Sequence, residues 1–171
     1  ASERKKSEQA LRLSKQRYEK LFHNSPTPLW EENFDAVFDY FIELRAKGIQ
    51  DFKTFFDSEP SEVNKCAHKV IISNVNQATL RLHNASNKEE LLGNLKKTFT
   101  KKSMQVFKEQ LIALAQGKLE FEAEGEVRTL TLEPRYIFLK LIIDREETGS
   151  VKALISTIDI TDRKKAEEDL K

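Results

Sequence analysis

The run Ile155-Ser156-Thr157-Ile158-Asp159-Ile160-Thr161-Asp162-Arg163-Lys164-Lys165-Ala166-Glu167-Glu168-Asp169-Leu170 changes character at its midpoint. Its first half is apolar and β-branched, which suits a strand. Its second half is charged and built from good helix formers. Thr161 stands at the junction, where its hydroxyl is expected to cap a free N–H at the helix start. Asp159 is placed to bond backbone N–H groups across the same junction. A core strand thus runs almost without a loop into a solvated helix, and whatever shifts the strand must shift the helix.

The same pattern recurs at the other end of the chain. Ser2-Glu3-Arg4-Lys5-Lys6-Ser7-Glu8-Gln9-Ala10-Leu11 aligns with Thr161 to Leu170, with five of ten positions identical and three more conservative. Self-similarity of this kind suggests that the chain starts with the exit helix of a preceding unit and ends with its own. The alternative is two generic charged helix ends, which draw on few residue types.

These stretches carry a family resemblance. Asp159-Ile160-Thr161-Asp162-Arg163-Lys164-Lys165-Ala166-Glu167 resembles the exit of PAS domains from bacterial and archaeal sensor proteins. Gln16-Arg17-Tyr18-Glu19-Lys20-Leu21-Phe22-His23-Asn24-Ser25-Pro26 is similar to the beginning of the same domains. Val75-Asn76-Gln77-Ala78-Thr79-Leu80-Arg81-Leu82, with Ser86-Asn87-Lys88-Glu89-Glu90-Leu91-Leu92-Gly93, resembles their central helical segment. The matches keep the family's order over most of the chain. The resemblance implies an α+β fold: a PAS-like antiparallel sheet flanked by helices, with an N-terminal helix and a C-terminal exit helix. It divides the chain into a linker helix at 1–24, a sensory domain at 25–161 and the start of a signalling helix at 162–171.

Residues 3–23 read as a helix with Leu11, Ser14, Tyr18 and Leu21 on one stripe. A partner helix could cover that stripe in a short coiled coil, giving a homodimer; alternatively the helix lies on its own sheet. Pro26 and Pro28 stop it before a short strand near Leu29 to Glu31. A minimal PAS domain would now turn into its second strand. Here about 40 residues intervene, with a helical insertion at about 33–68. Phe34, Val37, Phe38, Phe41, Ile42 and Leu44 have helical spacing, with Gly48 as stop. Asp51 caps a second short helix carrying Phe52, Phe55 and Phe56, and Pro60 opens a third with Val63, Cys66 and Ala67. The insertion is expected to cover one flank of the sheet.

Lys69 to Ser73 reads as the second strand, and Asn74 to Leu82 as one or two helical turns. Ser86 and Glu89 are expected to form a capping box for Asn87 to Leu92. Thr98 or Thr100 starts a longer helix ending before Gly117, with Met104, Phe107, Leu111 and Leu114 on its buried face. From Leu119 to Val127 apolar and acidic residues alternate, a strand with one wet face. Pro134 is expected to break it. Arg135 to Ile143 and Val151 to Ile160 complete the sheet, joined by a turn over Asp144 to Ser150. Helices in the middle and three sequential strands point to an antiparallel α+β architecture.

Lys and Arg number 29, Asp and Glu 28, so the chain lacks the basic excess that a nucleic-acid surface requires. No apolar run reaches the ~20 residues of a membrane span, and no direct membrane contact is expected. The one cysteine, Cys66, fits a reducing cytoplasm. Five glycines form no phosphate loop. His23, His68, His83 and Cys66 are scattered, without metal-ligand spacing. Cys66 and His68 fall on opposite sides of a helix, which also fails a nucleophile pair. The carboxylates are assigned to solvated faces, leaving no acid–base pair, so no catalytic residue is expected.

The family's cofactor requirements are not met. Flavin-binding light sensors of this fold carry a cysteine in the helix after the central segment, and Asn87 to Asn94 has none. Haem-binding members use a histidine on the long helix, and Thr100 to Gln116 has none. Neither flavin nor haem is expected, which leaves an unidentified small ligand. By resemblance and alternation, its pocket is expected near Met104, Phe107, Phe121, Leu139, Ile155 and Thr157. Thr157 could instead be a β-forming residue bonded locally. His83 stands where the family usually has an apolar or aromatic residue, and is a further pocket candidate or a partly exposed helix end. Asp159 and Thr161 are the candidate signal relay.

The resemblance implies a cytoplasmic PAS-type sensory domain from a multi-domain signalling protein such as a sensor histidine kinase or nucleotide cyclase. It would bind a small ligand or partner and bias the exit helix toward adjacent domains. The alternative is a ligand-free dimerisation and relay module in a tandem array.

Overall fold

The computed structural model describes residues 2–170. The strands are β1 (Leu29–Asn33), β2 (Ile71–Val75), β3 (Glu120–Arg128), β4 (Pro134–Arg145) and β5 (Val151–Asp159). They form one antiparallel sheet in the order β2-β1-β5-β4-β3. The helices are α1 (Glu3–Asn24), α2 (Asp35–Ala46), α3 (Phe52–Ser58), α4 (Pro60–Lys69), α5 (Gln77–Leu82), α6 (Lys88–Gly93), α7 (Lys101–Ala115) and α8 (Thr161–Asp169), with a 3-10 turn at Leu95–Thr98. The α+β architecture expected from the sequence is the one observed.

Local chemistry explains most boundaries. Asp51 caps α3 by accepting the Thr54 N–H at 3.0 Å. Pro60 begins α4, where its missing N–H costs nothing. Thr100 caps α7 in a reciprocal box with Ser103, and the Ser103 hydroxyl also donates to the Glu126 carbonyl of β3. Gly48 follows α2 at φ +90°, a conformation that favours glycine.

Some boundaries move. The second strand begins at Ile71, not Lys69, because α4 keeps His68 and Lys69 in its last turn. The cap of α6 is Asn87, which accepts the Glu90 N–H at 2.8 Å, while Glu90 reaches back to the Ser86 N–H. The expected Ser86–Glu89 box is therefore displaced by one residue. Pro134 does not break a strand. It opens β4 opposite Arg128, the first strand position being one that needs no N–H.

The inserted helices pack inward. Phe34, Val37, Phe41, Phe52, Phe56, Val63 and Cys66 join Leu111 and Leu114 of α7 and Leu141, Ile143, Val151 and Ala153 of the sheet in one core. The insertion thus packs on the sheet as expected, and its aromatic side chains supply much of the core. Asp35 fastens it to the sheet by accepting the Val151 N–H at 2.6 Å. Lys108 of α7 pairs with Asp57 of α3 at 2.7 Å. At the other end, Asn76 is fully buried and saturated. Its amide donates to the carbonyls of Phe22 and Thr27, and its Oδ1 accepts the Leu29 and Thr79 N–H groups at 2.9 and 3.1 Å. One side chain thus joins the end of α1, the start of β1 and α5.

Candidate functional site

A cavity of about 200 Å³ lies between α7, the α4–α5 region and the inner face of the sheet. The site residues expected from the sequence fall into two groups. Met104 and Phe107 of α7, Leu139 of β4, Ile155 and Thr157 of β5, and His83 at the end of α5 all line the cavity. Phe121 does not. It pairs with Leu141 and packs half-buried on the core, while β3 meets the cavity further along, at Gly125 to Val127. Alternation predicts which face Phe121 occupies but not how far along the strand the cavity lies.

Trp30, Glu32 and Gln110 are among the wall residues that the sequence reading did not name. Trp30 and Glu32 share the inward parity of β1, and Gln110 sits one turn beyond Phe107 on α7. The parity of β1 was readable, but a five-residue strand leaves little pattern to read. Glu32 also overturns the assignment of every carboxylate to a solvated face. It is half-buried, with no hydrogen bond or ion pair among the described residues, and burial pushes its carboxyl up to about 8. The sheet is irregular beside it: the β1–β2 register shifts between Glu31 and Glu32, leaving Ser73 unopposed.

His83 is 2% exposed, so it is a helix end but not a partly exposed one. Its ring stands edge-on to Trp30, with centroids 5.6 Å apart. Burial holds it down to about 4, against a hydrogen bond with the Arg128 backbone that favours the charged form. The imidazole is therefore neutral at pH 7, and its Nδ1 has no partner among the described residues. Thr157 is buried and accepts the Trp30 indole N–H at 3.4 Å. Gln110 is 4% exposed and its amide has no hydrogen-bond partner among the described residues. The cavity is thus apolar over most of its wall, with a carboxyl, a neutral imidazole and an amide left to bond.

The junction differs from expectation in who does the capping. Thr161 does not cap α8 with its hydroxyl; the cap position is Ile160, without a side-chain bond. Instead the Thr161 Oγ1 accepts the Tyr136 N–H at 3.0 Å and donates to the Asp159 carboxylate at 2.5 Å. Asp159 Oδ1 also accepts the Thr161 N–H at 2.9 Å. The Ile160 N–H donates to the Tyr136 carbonyl at 2.8 Å. Thr161 is the first residue of α8, one past the cap position, and its hydroxyl faces a strand partner 25 residues away. One turn on, Arg163 and Lys164 of α8 both pair with Glu124 on β3, which holds that carboxyl below its usual range through the Lys164 hydrogen bond first.

Among the described residues, no group of three or more His, Cys, Asp or Glu side chains is placed to hold a metal ion.

No family model and no curated protein matches the sequence. Solved structures do. The PAS domain of an HTR-like protein from Haloarcula marismortui is 17% identical with a TM-score of 0.53, covering 91% of this chain and 99% of that one. A PAS domain of a protein from Colwellia psychrerythraea is 13% identical with a TM-score of 0.55, covering 88% and 98%. A PAS domain from a two-component sensor histidine kinase is 11% identical with a TM-score of 0.53, covering 86% and 97%. At such identities the likeness speaks for the fold, and together with the five-stranded antiparallel sheet and its flanking helices it makes this chain a PAS-fold domain.

Proposed function

We propose that this domain senses a small ligand in its cavity and passes the change to neighbouring domains through α8. The observation that carries this reading is continuity. Ile137 of β4 and Thr157 of β5 line the cavity. The next residue back along β4 is Tyr136, whose N–H and C=O hold Thr161 and Ile160. Two residues on from Thr157 is Asp159, which holds Thr161. A ligand that displaces either strand by a fraction of an ångström acts on the first turn of α8, with no flexible loop between to absorb it. Packed elements switch between discrete arrangements more readily than they deform smoothly.

The reading assigns no reaction to this segment, no flavin or haem, no nucleic acid and no direct membrane contact. No helix among the described residues is long and apolar enough to cross a membrane. A cytoplasmic setting suits the single cysteine, Cys66, which is buried and free. The output domain would belong to a signalling protein, a histidine kinase or cyclase among the possibilities that the resemblance implies.

Asp159→Ala in the full-length protein tests the relay. The variant is expected to keep the fold and the ligand affinity and to lose the response of the output to stimulus. Normal regulation in that variant would sink the lever.

A second reading, a ligand-free dimerising relay, draws on α1. Leu11 and Leu21 are 72% and 67% exposed and free for a second α1, while Tyr18, 53% exposed, reaches β1 only through its hydroxyl. The two readings separate on whether small molecules enter the cavity.

A further inference from the structure

We infer that the cavity takes a compact organic ammonium ion, its charged head against Glu32 and its apolar body among Phe107, Leu139 and Ile155. This rests on the reading of the cavity as a ligand site and narrows the ligand to a chemical class.

The ionisable groups on the wall are one-sided. Glu32, His83 and Glu126 are the titratable side chains that line the cavity, and neither Lys nor Arg is among them. An anionic ligand would meet a carboxyl and no counter-charge. A pure hydrocarbon would leave Glu32, Gln110 and the His83 Nδ1 without partners, each a cost of about 1–3 kcal/mol in a buried site. Of these groups, an ionised Glu32 and the neutral His83 Nδ1 can only accept. The Nδ1 lone pair is free because the ring bonds the Arg128 backbone and stays neutral. The Gln110 carbonyl is a further acceptor. Meanwhile the indole N–H of Trp30, a donor on the wall, is already engaged by Thr157. A donor-rich cation complements this set, since an ammonium carries three N–H donors and no acceptor. The Trp30 and Phe107 rings add faces that attract cations.

Size limits the body of the ligand. A cavity of about 150 Å³ lined with apolar side chains holds a benzene, so about 200 Å³ admits a ring with a short amine tail. At pH 7 the unliganded Glu32 keeps its proton, because burial raises its carboxyl to about 8. An arriving ammonium favours the ionised form, so binding should release that proton.

Isothermal titration of the 171-residue chain at pH 7 with phenethylamine, 2-phenylethanol and 3-phenylpropanoate tests the assignment. The amine is expected to bind at least about tenfold tighter than the alcohol, and the carboxylate most weakly. Glu32→Gln should weaken the amine about tenfold or more and change the alcohol less than about twofold. Repeating the wild-type titration in phosphate and in Tris should show close to one proton released per amine. If Glu32→Gln fails to fold by near-ultraviolet circular dichroism, the wild-type preference and the proton count decide alone. An alcohol that matches the amine, an unchanged amine affinity in Glu32→Gln, or no proton release overturns the ammonium assignment and leaves the cavity reading standing. If none of the three probes binds, both fall.

Discussion

Asn76 and Glu32 show opposite ways of burying a polar side chain. Asn76 fills its hydrogen-bonding capacity with groups from three elements. Asn76→Ala removes all of them and leaves buried carbonyls and N–H groups unpaired, a loss of about 3 kcal/mol. For a chain of this size that lowers Tm by roughly 6–12 °C, which calorimetry would read directly. Glu32 lacks a partner, and its effect depends on pH. Its carboxyl rises from the ordinary 4.5 to about 8 on folding. A raised acid stabilises the fold fully below pH 4.5 and loses that stabilisation as pH climbs toward 8. His83 has the opposite sign: lowered from 6.5 to about 4, it destabilises as pH falls from 6.5 toward 4. Between pH 6.5 and 8 Glu32 titrates without His83. The Tm of Glu32→Gln relative to wild type is therefore expected to rise steadily from pH 5 to pH 8. A difference that stays constant over that range would show a solvated glutamate.

Helix α1 is anchored at one end only. Phe22 is its buried residue, and the Phe22 carbonyl accepts from Asn76, whereas the stripe from Leu11 to Leu21 is uncovered. Tyr18 touches the sheet through its hydroxyl, which donates to Glu31; burial and that carboxylate push the phenol up to about 12. Deleting residues 1–20 leaves the Phe22 anchor in place, so the remainder should fold. The deletion is expected to halve the mass seen by light scattering, from dimer to monomer. Equal association states for both forms would show that the stripe pairs no second copy. The inserted helices behave differently. Their aromatic residues share a core with α7 and the sheet, so they cannot be trimmed like α1. The Phe spacing announced helices, but their inward packing depends on β5, which lies about 100 residues further along the chain.

At the scale of the whole molecule, an apolar cavity is lined by residues between Trp30 and Thr157, from the strands of the sheet, α4, α5 and α7. The purified protein is expected to be colourless, because neither the 87–94 segment nor α7 carries the cysteine or histidine that the family's flavin and haem members use. A flavin or haem absorption band that survives purification would contradict this. The sequence alone determined what depends on neighbours in the chain. The alternation of β3 was readable because one face is wet, as Glu120, Glu122 and Glu124 are exposed. The periodic face of α7 and the caps at Asp51, Pro60 and Thr100 follow from interactions three or four residues long. The strand-to-helix run at Asp159–Thr161 was equally plain. Tertiary structure decided the rest. Thr161 chose Tyr136 over the helix N-terminus because β4 brings an N–H within 3.0 Å. Phe121 left the cavity wall because strand register, a property of two strands side by side, sets position along a strand. Glu32, His83 and Gln110 each look ordinary in sequence. They share one cavity only because β1, α5 and α7 converge there, and an unfilled space is a product of packing that no local pattern encodes.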